Sequence, residues 1–318
     1  MKMRRILSLD GGGIRGLVTC RWLEGADAAL RKAGKPGLLR GFDLIAGSST
    51  GALIACGLAT GRDPAMLAGL YREHRHTIFP GIAGRLWSRA GRFVVQGPSA
   101  PKYDGKGLDK VLKKVFGDAR LGDAKIPLLV TSYDTILRKP VIFKSFNAAH
   151  RDLPMWEVCR ASASAPTYFP AHAMTIEGRK RALIDGGVVA NNPTACAIAE
   201  ALRKDARVAN TQDLLVLSVG SGERNRPIDL KSAQEWGALE WAVPIIDVLF
   251  DGNTDSVDYI ARQLVGDGYF RMQTELVIGL DDMDDTSSTN IAALEIVAKD
   301  YLALPATRKL LDAVAARV

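Results

Sequence analysis

Ser49 stands at the centre of Gly47-Ser48-Ser49-Thr50-Gly51, after the apolar run Phe42-Asp43-Leu44-Ile45-Ala46 and before Ala52, Leu53, Ile54 and Ala55. A Gly-x-Ser-x-Gly turn between strand and helix leaves no room for side chains on its flanks and lifts the serine hydroxyl clear of the sheet as a nucleophile. The following helix points its amino-terminal dipole at that serine. Such a nucleophile needs a base to take its proton. The common hydrolase order, with histidine last, does not fit, because His172 is the last histidine and precedes Asp185-Gly186-Gly187. A carboxylate is then the candidate base, and Ser49 with Asp185 the candidate dyad. Because an aspartate ordinarily titrates near 4, the role calls for a desolvated carboxyl.

The second glycine-rich stretch is Asp10-Gly11-Gly12-Gly13-Ile14-Arg15-Gly16. Successive amides of Gly11, Gly12 and Gly13 can approach a tetrahedral intermediate, since no Cβ stands in the way, and they form the candidate oxyanion hole. Arg15 has two open roles, holding the turn or binding a substrate phosphate. The same residues contain Gly11-x-Gly13-x-x-Gly16, the fingerprint of a dinucleotide-binding oxidoreductase, which is the alternative reading. That reading requires an acidic residue about 20 positions on, where this chain has Arg31, Lys32 and Lys35.

These residues need a scaffold. Arg4 to Leu9 reads as a buried strand and Leu17 to Lys32 as a helix, with Leu23, Ala26 and Leu30 on one face. Phe42 to Ala46 and Thr50 to Leu58 repeat the strand-turn-helix order. Further apolar runs at Ile126–Thr131, Val141–Phe143, Ala182–Ile184 and Leu214–Val219 predict more strands, with helices around Trp236–Leu249, Ile291–Ala303 and Arg308–Val314. The expectation is an α/β protein, a three-layer α/β/α sandwich on a mostly parallel sheet, with Asp185 emerging at a strand's carboxyl end. Residues 1–318 read as one domain: a motif-bearing core over 4–200 and a completion of the fold over 201–318. His74 to Tyr103, punctuated by prolines and glycines and carrying Arg85, Trp87, Arg89, Arg92 and Phe93, reads as a basic loop or cap able to meet an anionic lipid surface.

The net charge of +7 is uneven: residues 1–103 hold sixteen Lys/Arg against six Asp/Glu, and the remainder is slightly acidic. A basic front concentrates anionic partners such as lipid headgroups or nucleotides. Cys20, Cys56, Cys159 and Cys196 have neither zinc-ligand nor disulfide spacing. The four histidines share no metal spacing, and Asp281-Asp282-Met283-Asp284-Asp285 lacks the glycine and glutamate of a calcium loop, so it reads as a solvated acidic loop. Trp236, Trp241, Ile245, Leu249 and Phe250 read as core or a self-association face, the latter implying a homo-oligomer. Asp10 interrupts any signal-like apolar run after the basic start, which makes the cytoplasm, with peripheral contact at the inner membrane, the expected location.

Asp10 to Gly16, Gly47 to Gly51, Ala161-Ser162-Ala163-Ser164-Ala165-Pro166 and Asp185-Gly186-Gly187-Val188-Val189-Ala190-Asn191-Asn192-Pro193 together resemble the four signatures of patatin-like phospholipases, in that family's order. The resemblance implies a serine lipid acyl hydrolase with Ser49 as nucleophile, Asp185 as base and Gly11 to Gly13 as oxyanion donors. It further implies that Arg15, Gly16, Gly47, Gly51, Gly186 and Gly187 support the site or bind substrate, and that Ala161 to Pro166 brace it. The expected partner is a phospholipid membrane or lipid substrate, with no metal, no other cofactor and no nucleic-acid polymer. Some bacterial members of that family resemble antiphage-type effectors switched on by a cyclic nucleotide, which adds such an activator to the expectations.

Overall fold

The computed structural model describes residues 4–81, 100–206, 208–223, 227–241, 244–276 and 282–318. Their centre is an eight-stranded sheet. Five strands run parallel in the order β3 (Leu128–Asp134), β2 (Leu44–Ser48), β1 (Arg5–Leu9), β7 (Leu215–Val219) and β8 (Tyr269–Met272). Three antiparallel strands extend it at the β3 side: β4 (Lys139–Lys144) and β6 (Arg179–Asp185) pair with β3, and β5 (His172–Ile176) pairs with β6.

The inner strands β1, β2, β3 and β7 are mostly apolar and buried along nearly their whole length because both faces are covered. Leu7, Leu9, Ile45, Val130, Leu217 and Val219 join one buried cluster with residues of the helices Gly16–Lys32, Thr50–Ala59 and Met155–Ser162. The residues between them, Ile6, Leu44, Ala46, Leu129 and Val216, pack with the helices Thr194–Lys204 and Pro244–Val265. Period-two alternation thus sorts each strand onto two helical layers.

Several expectations shift. β5 and β8 are additional strands, and β6, which ends at Asp185 as expected, runs antiparallel to β3. The helix Pro64–Ile78, capped by the Asp63 carboxylate accepting from the Met66 amide at 2.7 Å, carries His74 and His76. The segment expected as a loop from His74 onward is therefore helical to Ile78. Arg85, Trp87, Arg89, Arg92 and Phe93 lie outside the described residues. The expected helix near Trp236–Leu249 is divided into Leu230–Glu235, Ala238–Trp241 and the start of Pro244–Val265. It is not core either: Leu239 is 89% exposed, Val248 and Leu249 44% each, and Phe250 alone of the stripe is buried. Among the described residues no helix is long and apolar enough to cross a membrane.

One feature of the pairing decides where the site forms. β4 occupies one edge of β3 from Leu129 to Asp134. The other edge is shared: β2 pairs with it as far as Ser48 opposite Thr131, and β6 takes over at Asp185 opposite Ser132. A strand has only two hydrogen-bonding edges, so β2 and β6 meet end to end along β3. The residue after Ser48 therefore faces Asp185.

Candidate active site

Ser49 sits at φ 52° and ψ −123°, a conformation that costs on the order of 1–3 kcal/mol for a residue with a side chain. The neighbouring glycines permit it: a Cβ on Gly47 would lie 2.4 Å from the Gly51 carbonyl oxygen, and one on Gly51 would lie 2.2 Å from that of Leu9. The Ser49 amide donates to Ser162 Oγ at 2.9 Å, and its hydroxyl donates to Asp185 Oδ2 at 2.7 Å.

Asp185 is fully buried, and its second oxygen accepts from the Gly187 amide at 2.7 Å. Its backbone is tied to the same brace, its amide donating to the Ser164 carbonyl and that of Gly186 to the Ser162 carbonyl. Burial pushes the carboxyl up to about 7, with the bonds from Ser49 and Gly187 only partly opposing it. Ala161 to Pro166 thus holds both members of the pair. Ser162→Ala is expected to orphan the buried Ser49 amide, costing about 1–3 kcal/mol and a fall in kcat, read by thermal unfolding alongside ester hydrolysis.

The glycine loop differs from its expected form. The Gly11 amide is already committed, donating to the Asn191 carbonyl at 3.1 Å, so Gly11 is withdrawn from the candidate oxyanion donors. Among the described residues the amides of Gly12 and Gly13 have no such acceptor. Gly13, at φ +61°, lines the groove beside Ser49. Arg15 is buried and turned inward, donating to the carbonyls of Gly12 at 3.3 Å and Gly222 at 3.1 Å. These contacts hold the turn, the first of its two open roles. Gly16 starts the first helix, and Gly186 lies against the Thr131 carbonyl, where a Cβ would come within 2.3 Å.

Contacts from distant sequence complete the loop. Asp10 forms an ion pair with Arg271 of β8 at 2.6 Å, both side chains being buried, and Arg271 also donates to Ser218. The Ile14 amide donates to the Met283 carbonyl at 2.9 Å, and Asp284 binds Lys102 and the Tyr103 hydroxyl. The acidic stretch around Met283 is therefore not simply solvated; its described part closes over the glycine loop. Arg271 and Met283 escaped sequence reasoning because neither lies in a motif, although an arginine amid Tyr269, Phe270 and Met272 is a usable signal of a buried partner.

His172 lies against Trp156 and Glu157 and is lowered to about 4, mainly by burial. Asp185 holds the hydrogen-bonding position on Ser49 that a histidine base would occupy. His150 accepts from the Lys144 amide, His74 neighbours Lys114, and His76 neighbours Thr286. Among the described residues no group of three or more His, Cys, Asp or Glu converges to hold a metal ion.

Ser49 opens into an apolar groove whose walls include Leu53, Phe79, Leu108, Tyr168, Phe169 and Phe250. A serine on such an elbow in an α/β layer fold, facing an apolar groove, is the architecture of a serine-dependent acyl hydrolase. The family model described as patatin-like phospholipase matches residues 7–198. Patatin-like protein 2 of Oryza sativa subsp. indica is 31% identical over 333 aligned residues, covering 92% of this chain and 82% of that protein. Patatin-01 of Solanum tuberosum is 30% identical over 343, covering 96% of this chain and 86% of that protein. The chain belongs to the patatin-like phospholipase family, and its reaction class is lipid acyl hydrolysis. The crystal structure of VipD from Legionella pneumophila superposes with a TM-score of 0.41 at 13% identity over 95% of this chain and 67% of that one, too loosely to bear on fold or function. The strand after the first helix ends at Ser48, not in the acidic residue that the dinucleotide fingerprint requires.

Proposed function

We propose that the protein is a phospholipase of the A type that cleaves carboxylic esters of glycerophospholipids through Ser49 and Asp185. The observation that carries this reading is the 2.7 Å bond from the Ser49 hydroxyl to a buried carboxyl raised to about 7, at the head of an apolar groove. Asp185 Oδ2 takes the hydroxyl proton as Oγ attacks the ester carbonyl. The oxyanion is met by the amides of Gly12 and Gly13, and its collapse expels the alcohol, which receives the proton from Asp185. Water then attacks the acyl-enzyme, giving a proton to Asp185, which returns it to Ser49 as the fatty acid leaves.

Delivery of lipid from a bilayer is supported by the exposed Leu239, Ile245, Val248 and Leu249, beside a cleft that shares Tyr168 with the groove. Trp236 and Trp241, stacked edge to face at 5.2 Å, flank this band. Aromatic and aliphatic side chains of this kind insert at the headgroup boundary. The test is fatty-acid release from phosphatidylcholine and phosphatidylglycerol vesicles, with and without a panel of cyclic nucleotides. Release that falls about tenfold or more in Val248→Asp/Leu249→Asp, while hydrolysis of a soluble short-chain ester persists, supports docking through the band. Release only after addition of one nucleotide would make the enzyme a switched effector. Vesicles left intact under every condition would overturn the phospholipid assignment.

A further inference from the structure

The groove at Ser49 is not the end of the apolar space. A second apolar pocket adjoins it, among the helices Thr50–Ala59, Pro64–Ile78 and Lys106–Phe116, with Ile54, Leu67, Leu112 and Phe116 in its walls. Leu53, Tyr71 and Ile78 line both cavities. Of these three, Tyr71 alone has a polar tether: its hydroxyl bonds to Oγ1 of Thr50, the residue next to the nucleophile. Gly16 leaves the space for this pair, since a Cβ there would lie 2.6 Å from both hydroxyl oxygens. A buried ring fixed at its far end cannot turn aside without breaking that bond.

Resting on the acyl-hydrolase reading of Ser49, we propose that Tyr71 determines acyl-chain length by dividing the acyl-binding space into a near compartment at the serine and a far compartment behind its ring. Short and medium chains fill the near compartment alone. Longer chains enter the far one only when the ring is displaced, so the tether to Thr50 sets the chain length at which catalysis falls off. Each methylene newly buried strengthens binding about fourfold, so opening the partition has a large effect on long chains and little on short ones.

The test compares kcat/KM for acetyl, octanoyl and palmitoyl p-nitrophenyl esters. Tyr71→Ala is expected to raise the palmitoyl-to-octanoyl ratio by about tenfold or more, and Tyr71→Phe, which keeps the ring and loses the tether, by a smaller factor. Adding Leu112→Trp to Tyr71→Ala refills the far compartment and should cancel the gain. Displacement of a fluorescent fatty acid from Ser49→Ala, with and without Tyr71→Phe, reports the same preference without catalysis. A wild-type ratio in both Tyr71 variants, or a gain that survives Leu112→Trp, overturns the proposal. Loss of the hydrolase reading is distinguishable: the wild type would cleave no ester, while fatty-acid displacement would still decide whether the far compartment takes long chains.

Discussion

Ser49→Ala is expected to lower ester hydrolysis by about 10⁴-fold or more while leaving substrate binding nearly intact, because it removes the only atom that becomes covalently acylated. The elbow gives the expectation its size. Ser49 is held by a strained backbone, by the bond from its amide to Ser162, and by the bond from its hydroxyl to Asp185. None of these constraints is shared by Ser48, which is fully buried and cannot replace it. Intact-mass spectrometry after treatment with an alkyl fluorophosphonate checks the assignment directly. One adduct on the wild type and none on the variant is expected; an adduct on both would place the nucleophile elsewhere.

Asp185→Asn is expected to act on rate and stability in opposite directions. As a proton acceptor Asp185 must be ionised, so wild-type kcat/KM should rise with pH through a midpoint of about 7. The Asn variant should lose about 10³-fold and with it that inflection. For stability the sign follows from which state binds the proton. The unfolded aspartate titrates near 4 and the folded one near 7, so the folded state holds the extra proton between these values. The contribution of Asp185 is thus fully present below about pH 4, declines as pH rises, and is lost above about pH 7. The shift of about three units corresponds to on the order of 4 kcal/mol. Asp185→Asn should therefore raise Tm most at about pH 8, with the difference narrowing toward pH 4. A Tm difference independent of pH would mean that burial is not what raises the carboxyl.

Much of this site was readable from local sequence. The strand, turn and helix around Ser49 are written in one contiguous stretch, Leu44 to Ala59, and the glycines mark where backbones touch. That Asp185 ends a strand was equally legible from Ala182-Leu183-Ile184. Its direction was not: apolar runs specify burial, whereas parallel or antiparallel pairing depends on which edge a distant strand leaves open. β8 was hidden because Arg271, an inward-facing cation, breaks the apolar run, and its partner Asp10 lies 261 residues away. The Gly11 amide looked free in sequence because its acceptor, the Asn191 carbonyl, carries no side-chain signature. The core reading of the Trp236–Leu249 stripe failed for a different reason. Periodicity identifies an apolar face but not what, if anything, covers it.

The shared edge of β3 also sets when the nucleophile acquires its base. Ser49 and Asp185 are 136 residues apart and come together only when β6 seats itself in the space that β2 leaves. Loop closure over that distance is entropically costly, and the strand pairing with β3 and the brace at Ala161 to Pro166 supply the contacts that offset it. A chain emerging from the ribosome therefore displays a nucleophile long before it owns a base, and the glycine loop still lacks Arg271 when the base arrives. Assembly order follows from the sheet: the dyad is complete only once β6 is seated, and the Asp10–Arg271 ion pair only once β8 is in place.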